Sequence, residues 1–452
     1  MISLPSMAAL RLLAVVVLLL VGLRPAFAVE VQRVVSPGCI EAWLVEDHTN
    51  PIIALQMNFR GGGALDPAGK EGLASMVAST IDEGAGPLDS QGFQGKLNDL
   101  SIRLGFSAGF DNFSGSLRSL TENRETAFEM LRLALSEPRF DEEPVERIRA
   151  QITAGLTRSL EDPDAIAGLT LRGILMPEHP YARALSGTLA SVDTLTVEDL
   201  RRFVAERFAR DQLIVGVVGD IDAKELARLL DETFMGLPVK AASSEIAEAE
   251  VFSGGVTKVV EMDIPQSVAV FGQPGLKRDD PDYYTAYVVN YIFGGGGFSS
   301  RLYDEVREKR GLAYSVYAYL SPWRNAGLVT GGVATQNSRV AESLAVIRDE
   351  WHRMAEEGPS EAELAHAKTY LTGSFPLRLS SSGAVAGMLV GMQQQDLGID
   401  YLDRRNDFIE AVTLEEARRV ARSLYDVDAL SVVVVGQPED LEADQDGVKE
   451  DG

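Results

Sequence analysis

Apolar positions along the chain repeat with two different periods. Runs such as LIVGVVG (213–219) and LSVVVVG (430–436) contain almost nothing polar, and predict strands buried on both faces. EAWLVED (41–47) and IIALQMNFRGGG (52–63) predict a hairpin, and SAGFDNFSGSLRSL (107–120) alternates as a strand pair does. Helical spacing predicts helices near 70–83, 91–103, 122–136, 141–160 and 197–208. Strands, then helices, then strands again give an α+β layout, with helices packed on one face of a largely antiparallel sheet.

The pattern occurs twice. TVEDLRRFVAERFARDQLIVGVVGD from Thr196 and TLEEARRVARSLYDVDALSVVVVGQ from Thr413 align without a gap, each a threonine-capped amphipathic helix running into a buried strand. A weaker echo joins FQGKLNDL (93–100) to FSSRLYDE (298–305). Two homologous domains of about 210 residues each follow. The expected division is 29–238 and 257–437, with the linker VKAASSEIAEAEVFSGG at 239–255 extended to 256 and an acidic, disordered tail at 438–452.

Composition narrows the setting. Residues 1–28 join Arg11, the apolar run LLAVVVLLLVGL (12–23) and AFA (26–28), which predicts a cleaved export signal and a mature start at Val29. No later segment is apolar for long enough to cross a membrane. The chain's formal charge is −25, and removing Arg11 and Arg24 makes it −27, which disfavours nucleic acid and anionic lipid as partners. Cys39 is the single cysteine, so no intrachain disulfide can form. An exported chain of this composition points to a Gram-negative periplasm.

Candidate chemistry is sparse. His48, His179, His352 and His366 share no metal-ligand spacing, and no serine or cysteine elbow stands out. In EGLASMVASTIDEG (71–84), Ser75, Ala78 and Ser79 occupy the i, i+3, i+4 positions where an inverted zinc-peptidase motif places two histidines and a glutamate. Gly294–Gly297 lacks the Lys-Ser/Thr of a phosphate loop and reads as a helix stop with open backbone.

Three stretches carry a resemblance: FRGGGALDPAGKEGLASMVASTIDEGAG (59–86), HPYARALSGTLASVDTLTVEDLRRF (179–203) and GGGGFSSRLYDEVREKRGLAYSVYAY (294–319). Together they resemble the pitrilysin, insulinase and mitochondrial processing peptidase family, over roughly residues 31–437. The resemblance implies a third metal ligand about 75 residues beyond the motif, where this chain has Ala154 or Gly155. All the metal positions therefore depart from the family, and the chain is expected to hold no cofactor. The same resemblance implies that Arg307 and Tyr314 reach towards a metal site in the other half of the enzyme, where a guanidinium and a phenol can steady an oxyanion. It also gives Gly294, Gly295, Gly296 and Gly297 a part in holding extended peptide. The implied function is the non-metal subunit of a heterodimeric zinc metallopeptidase, with zinc in a homologous partner and short or unfolded peptides as substrate. The alternatives are an inert scaffold subunit and a stand-alone peptide-binding or chaperone protein.

Overall fold

Among the described residues of this computed structural model, 30–242 and 245–444, the strands form two sheets. The expected leader and the end of the tail lie outside them. The first sheet contains β1 (Gln32–Val35), β2 (Glu41–Glu46), β3 (Ile52–Arg60), β4 (Arg103–Ala108), β5 (Asn112–Leu120) and β6 (Leu213–Gly219), in the order β1-β2-β6-β3-β5-β4. The second contains β7 (Thr257–Glu261), β8 (Gln266–Pro274), β9 (Val316–Trp323), β10 (Ala326–Gln336) and β11 (Ser431–Gly436), in the order β7-β11-β8-β10-β9. The repeat maps β2-β6-β3-β5-β4 onto the second sheet, including its one parallel pair, β2 with β6 or β7 with β11. This is an α+β protein of two similar halves.

The expected hairpin between 41–47 and 52–63 does not form. β6 lies between β2 and β3, parallel to one and antiparallel to the other. A strand without a polar face belongs inside a sheet, so β6 takes the central place and drives the two flanking strands apart. The pair at 107–120 does form, as β4 with β5.

The buried runs alternate between two different coverings. In β11, Val432 and Val434 meet the helices of their own half, while Val433 and Val435 meet helix Pro163–Leu175 of the first half. In β6, Val215 and Val217 face their own helices, while Val218 faces helix Ser382–Gln394 of the second half. The two halves thus exchange one helix each. Asp162 caps the first of these helices, accepting from the amides of Asp164 (2.9 Å) and Ala165 (3.3 Å), with Pro163 in its first turn. Ser381 caps the second, accepting from the Ala384 amide at 3.2 Å.

The halves also meet through an aromatic cluster of Phe110, Tyr181 and Trp323, with centroids 4.8–5.6 Å apart. The linker is a packed strap here: the Ala249 amide donates to Asn325 O and the Phe252 amide to Leu175 O, both at 2.8 Å. Residues 438–444 of the tail, expected to be disordered, turn back on β7. The Thr257 amide donates to Asp444 Oδ2 (2.6 Å) and the Asp444 amide donates to Thr257 O (3.0 Å).

Candidate functional site

The candidate site has one part in each half. In the first, helix Leu73–Thr80 buries Leu73, Met76, Val77 and Thr80 and leaves Ser75 and Ser79 on the opposite face. Its start is fixed by Asp66, which accepts from the Ala74 amide (3.1 Å) and pairs with Arg207 (3.3 Å). Arg207 also donates to Gly62 O (2.9 Å) and Leu65 O (2.6 Å), so one guanidinium ties down the glycine-rich turn before the helix. Burial works against the charge on both partners, pushing the Asp66 carboxyl up to about 6 and the Arg207 guanidinium down, and their attraction together with the Ala74 amide opposes only part of it.

At the motif positions the side chains are occupied locally. Ser75 Oγ donates to Leu185 O (3.1 Å), Ser79 Oγ donates to Ser75 O (2.9 Å), and Ala78 is 7% exposed. Ala154 and Gly155 lie on the neighbouring helix Glu142–Ser159 and offer no carboxylate. Among the described residues no group of three or more His, Cys, Asp and Glu side chains is placed to hold a metal ion. Hydroxyls and methyls are poor zinc donors, so this donor set does not fit the ion.

In the second half, helix Tyr283–Asn290 runs into a π-helical turn, Tyr291–Gly295, and a second π-helical turn spans Tyr303–Glu308. Gly294 and Gly295 end the first turn, and Gly296 and Gly297 follow it. They are not equivalent. Gly294 is buried, and a Cβ there would meet Ala318 at 2.7 Å, so this residue lets the helix approach β9. Gly297 has φ +55° and open space around it. Gly295 and Gly296 lie between these extremes, against Asn290 and Tyr291.

Arg307 projects from the second π-helical turn. Its guanidinium lies 4.7 Å from the Tyr314 ring centroid, 4.8 Å from Tyr303 and 5.9 Å from Phe298, and it donates to the Tyr303 hydroxyl. The turn is anchored by Glu305, which binds Lys309 (2.7 Å), Arg310 (2.5 Å) and Arg353 (3.4 Å). These cations hold its carboxyl down at about 2 although burial raises it. Tyr314 is 82% exposed and Phe298 80% exposed. Tyr314 precedes β9, which starts at Val316, and so escapes the strand alternation that buries Val316 and Ala318 and turns Tyr317 and Tyr319 outward.

The family resemblance singles out Arg307 and Tyr314 but not Phe298 and Tyr303, which the structure places beside Arg307. The four-residue step from Tyr303 to Arg307 was the available signal for the second. The echo between 93–100 and 298–305 had equated Phe298 with Phe93, which is fully buried. The shared leucines, Leu97 and Leu302, are buried in both halves. His179 has a structural position: Nδ1 accepts from the Tyr181 amide (3.2 Å) and Nε2 lies 3.0 Å from Ala247 O.

Known proteins bear on this arrangement. The family profile described as peptidase M16 inactive domain matches residues 194–371. A protein of Helicobacter pylori named non-peptidase homolog YmxG is 28% identical over 391 residues, covering 86% of this chain and 90% of its own. An uncharacterized zinc protease of Streptomyces coelicolor is 30% identical over 312 residues, 67% of each chain. Among solved structures, a peptidase M16 inactive domain from Pseudomonas fluorescens superposes with a TM-score of 0.85 at 28% identity, over 91% of this chain and 98% of that one.

Proposed function

Given that this chain belongs to the M16 peptidase family as one of its inactive members, we propose that it serves as the non-metal subunit of a two-chain zinc metallopeptidase. A homologous partner, of the kind that several relatives' names describe as zinc proteases, supplies the metal and the general base. This chain supplies Arg307 and Tyr314 to the carbonyl under attack, and the backbone at Gly295–Gly297 to the extended peptide. The substrate class is short or unfolded peptide, and the setting is the periplasm.

One observation carries the reading. Arg307 and Tyr303 stand on a firmly anchored turn, Phe298 and Tyr314 close on the guanidinium from either side of it, and the Tyr314 phenol is left in solvent beside the equally exposed Phe298. A tyrosine that served packing alone would be covered. A phenol beside a guanidinium is well suited to the charge that develops on a peptide carbonyl oxygen.

The test is reconstitution of this chain with a partner bearing His-x-x-Glu-His. Removing this chain should abolish cleavage. Tyr314→Phe should lower kcat about a hundredfold, the scale of a lost oxyanion donor, with little change in KM. Full activity of the partner alone refutes the shared site, and full activity of the Tyr314→Phe and Arg307→Met pairs would instead make this chain a scaffold.

A further inference from the structure

Two adjoining clefts in the second half, of about 740 and 250 Å³, share Tyr283, Tyr287, Arg378 and Arg405 in their walls. Gly295–Gly297 form one rim of the larger cleft, and Arg278 lies in the smaller. Among the described residues no aspartate or glutamate lines either one. The chain has 67 acidic residues against 42 Lys and Arg, so a continuous wall with three arginines and no carboxylate runs against its overall composition.

The state of the arginines is more telling. Arg405 is only 5% exposed, and its guanidinium donates to Leu371 O (3.0 Å) and Asn406 Oδ1 (2.9 Å) and stacks on Phe375 at 4.2 Å. Arg278 donates to Tyr284 OH (2.7 Å) and lies 4.2 Å from the Tyr283 ring centroid. Arg378 is exposed on the cleft wall. None of the three has an Asp or Glu partner among the described residues. Arg301, Arg353 and Arg419, in the same half, each bind a carboxylate at 2.6 Å. Burying a cation without a counter-charge is costly, and a guanidinium fork matches a carboxylate in shape and charge.

We propose that this cleft binds peptides through a carboxylate, which Arg378 and Arg405 receive, with Arg278 beside them, while the tyrosine walls take an apolar or aromatic side chain next to it. The inference rests on the reading above only in taking the ligand to be a peptide. Two sources present the same chemistry, a free C-terminus and an acidic side chain.

The experiment is fluorescence anisotropy on the purified full chain without a partner. The probe is a labelled ten-residue polar peptide ending in Phe-Glu. Amidating the terminus, exchanging Glu for Gln, or doing both should weaken binding about tenfold or more for the carboxylate in use and abolish it when both are gone. The arm that fails identifies the source. Arg378→Gln, at an exposed position, should weaken binding similarly with no change in Tm, and Arg405→Gln should weaken it as well, with a shift in Tm because its guanidinium also holds Leu371 O and packs on Phe375. Equal binding of the peptide lacking both carboxylates, an unchanged Kd in Arg378→Gln, or no binding of any peptide overturns the proposal. Each of these results leaves the Arg307–Tyr314 reading to be decided by the reconstitution assay.

Discussion

Asp82 lies in the turn just past the end of the Leu73–Thr80 helix, and burial, with Glu83 beside it, pushes its carboxyl up to about 6. The folded protein therefore holds this proton more firmly than the unfolded chain does, and stability should fall as pH rises from about 4 to about 6. Urea midpoints at pH 4.5 and 6.5 should show that decline, and Asp82→Asn should remove about 2 kcal/mol of it. An equally steep profile in the variant would count against the assignment. Asp66 and Arg207 make a separate prediction. Arg207→Met leaves a buried carboxylate alone and should cost about 3 kcal/mol, whereas the Asp66→Asn/Arg207→Met double variant should recover most of the loss by denaturant titration. At this scale the sequence disclosed which positions lacked ligands, since residue type alone decides that. It could not disclose that the Ser75 hydroxyl is spent on Leu185 O, or that Arg278 and Arg405 lack counter-charges among the described residues, because those facts depend on residues far away in the chain.

The helix exchanged from the second half passes very close to the first sheet. A Cβ on Gly216 would come within 2.6 Å of Ala386 O and 2.9 Å of Leu389 Cβ. Gly216→Val should force the helix off β6 and destabilise the protein by about 2 kcal/mol or more, seen as a lower denaturant midpoint; an unchanged midpoint would mean the contact is not structural. Elements were legible where local pattern decides them. The capped helix Val197–Arg207 and the buried strand β6 were both foreseen. The 41–63 hairpin failed because adjacency in sequence was taken for adjacency in the sheet, and the continuous apolar character of β6 was the signal that it belonged between those strands. Helix Pro163–Leu175 went unread despite its Asp-Pro start, although both faces of β11 required a cover.

For the molecule as a whole, the duplication is visible as one pair of segments, from Thr196 and from Thr413, aligned without a gap, with a weaker echo at a different offset between 93–100 and 298–305, and it anticipates two similar sheets. The crossing of helices between them was not visible, because nothing in either repeat says which sheet its helix will cover. With helices crossing in both directions, the strap at 239–256 is expected to be dispensable for cohesion. A protease site inserted near residue 243 and cleaved in the folded protein should give two fragments that still co-elute at the size of the intact chain, and their separation without denaturant would show the crossing helices to be weak. The exchange also has a consequence for a lone half. Expressed by itself, it would have an oily sheet face wet and a spare helix with no seat, and two such fragments could solve both problems by clasping each other. Joining them in one polypeptide replaces a dilution-sensitive encounter with a tethered one.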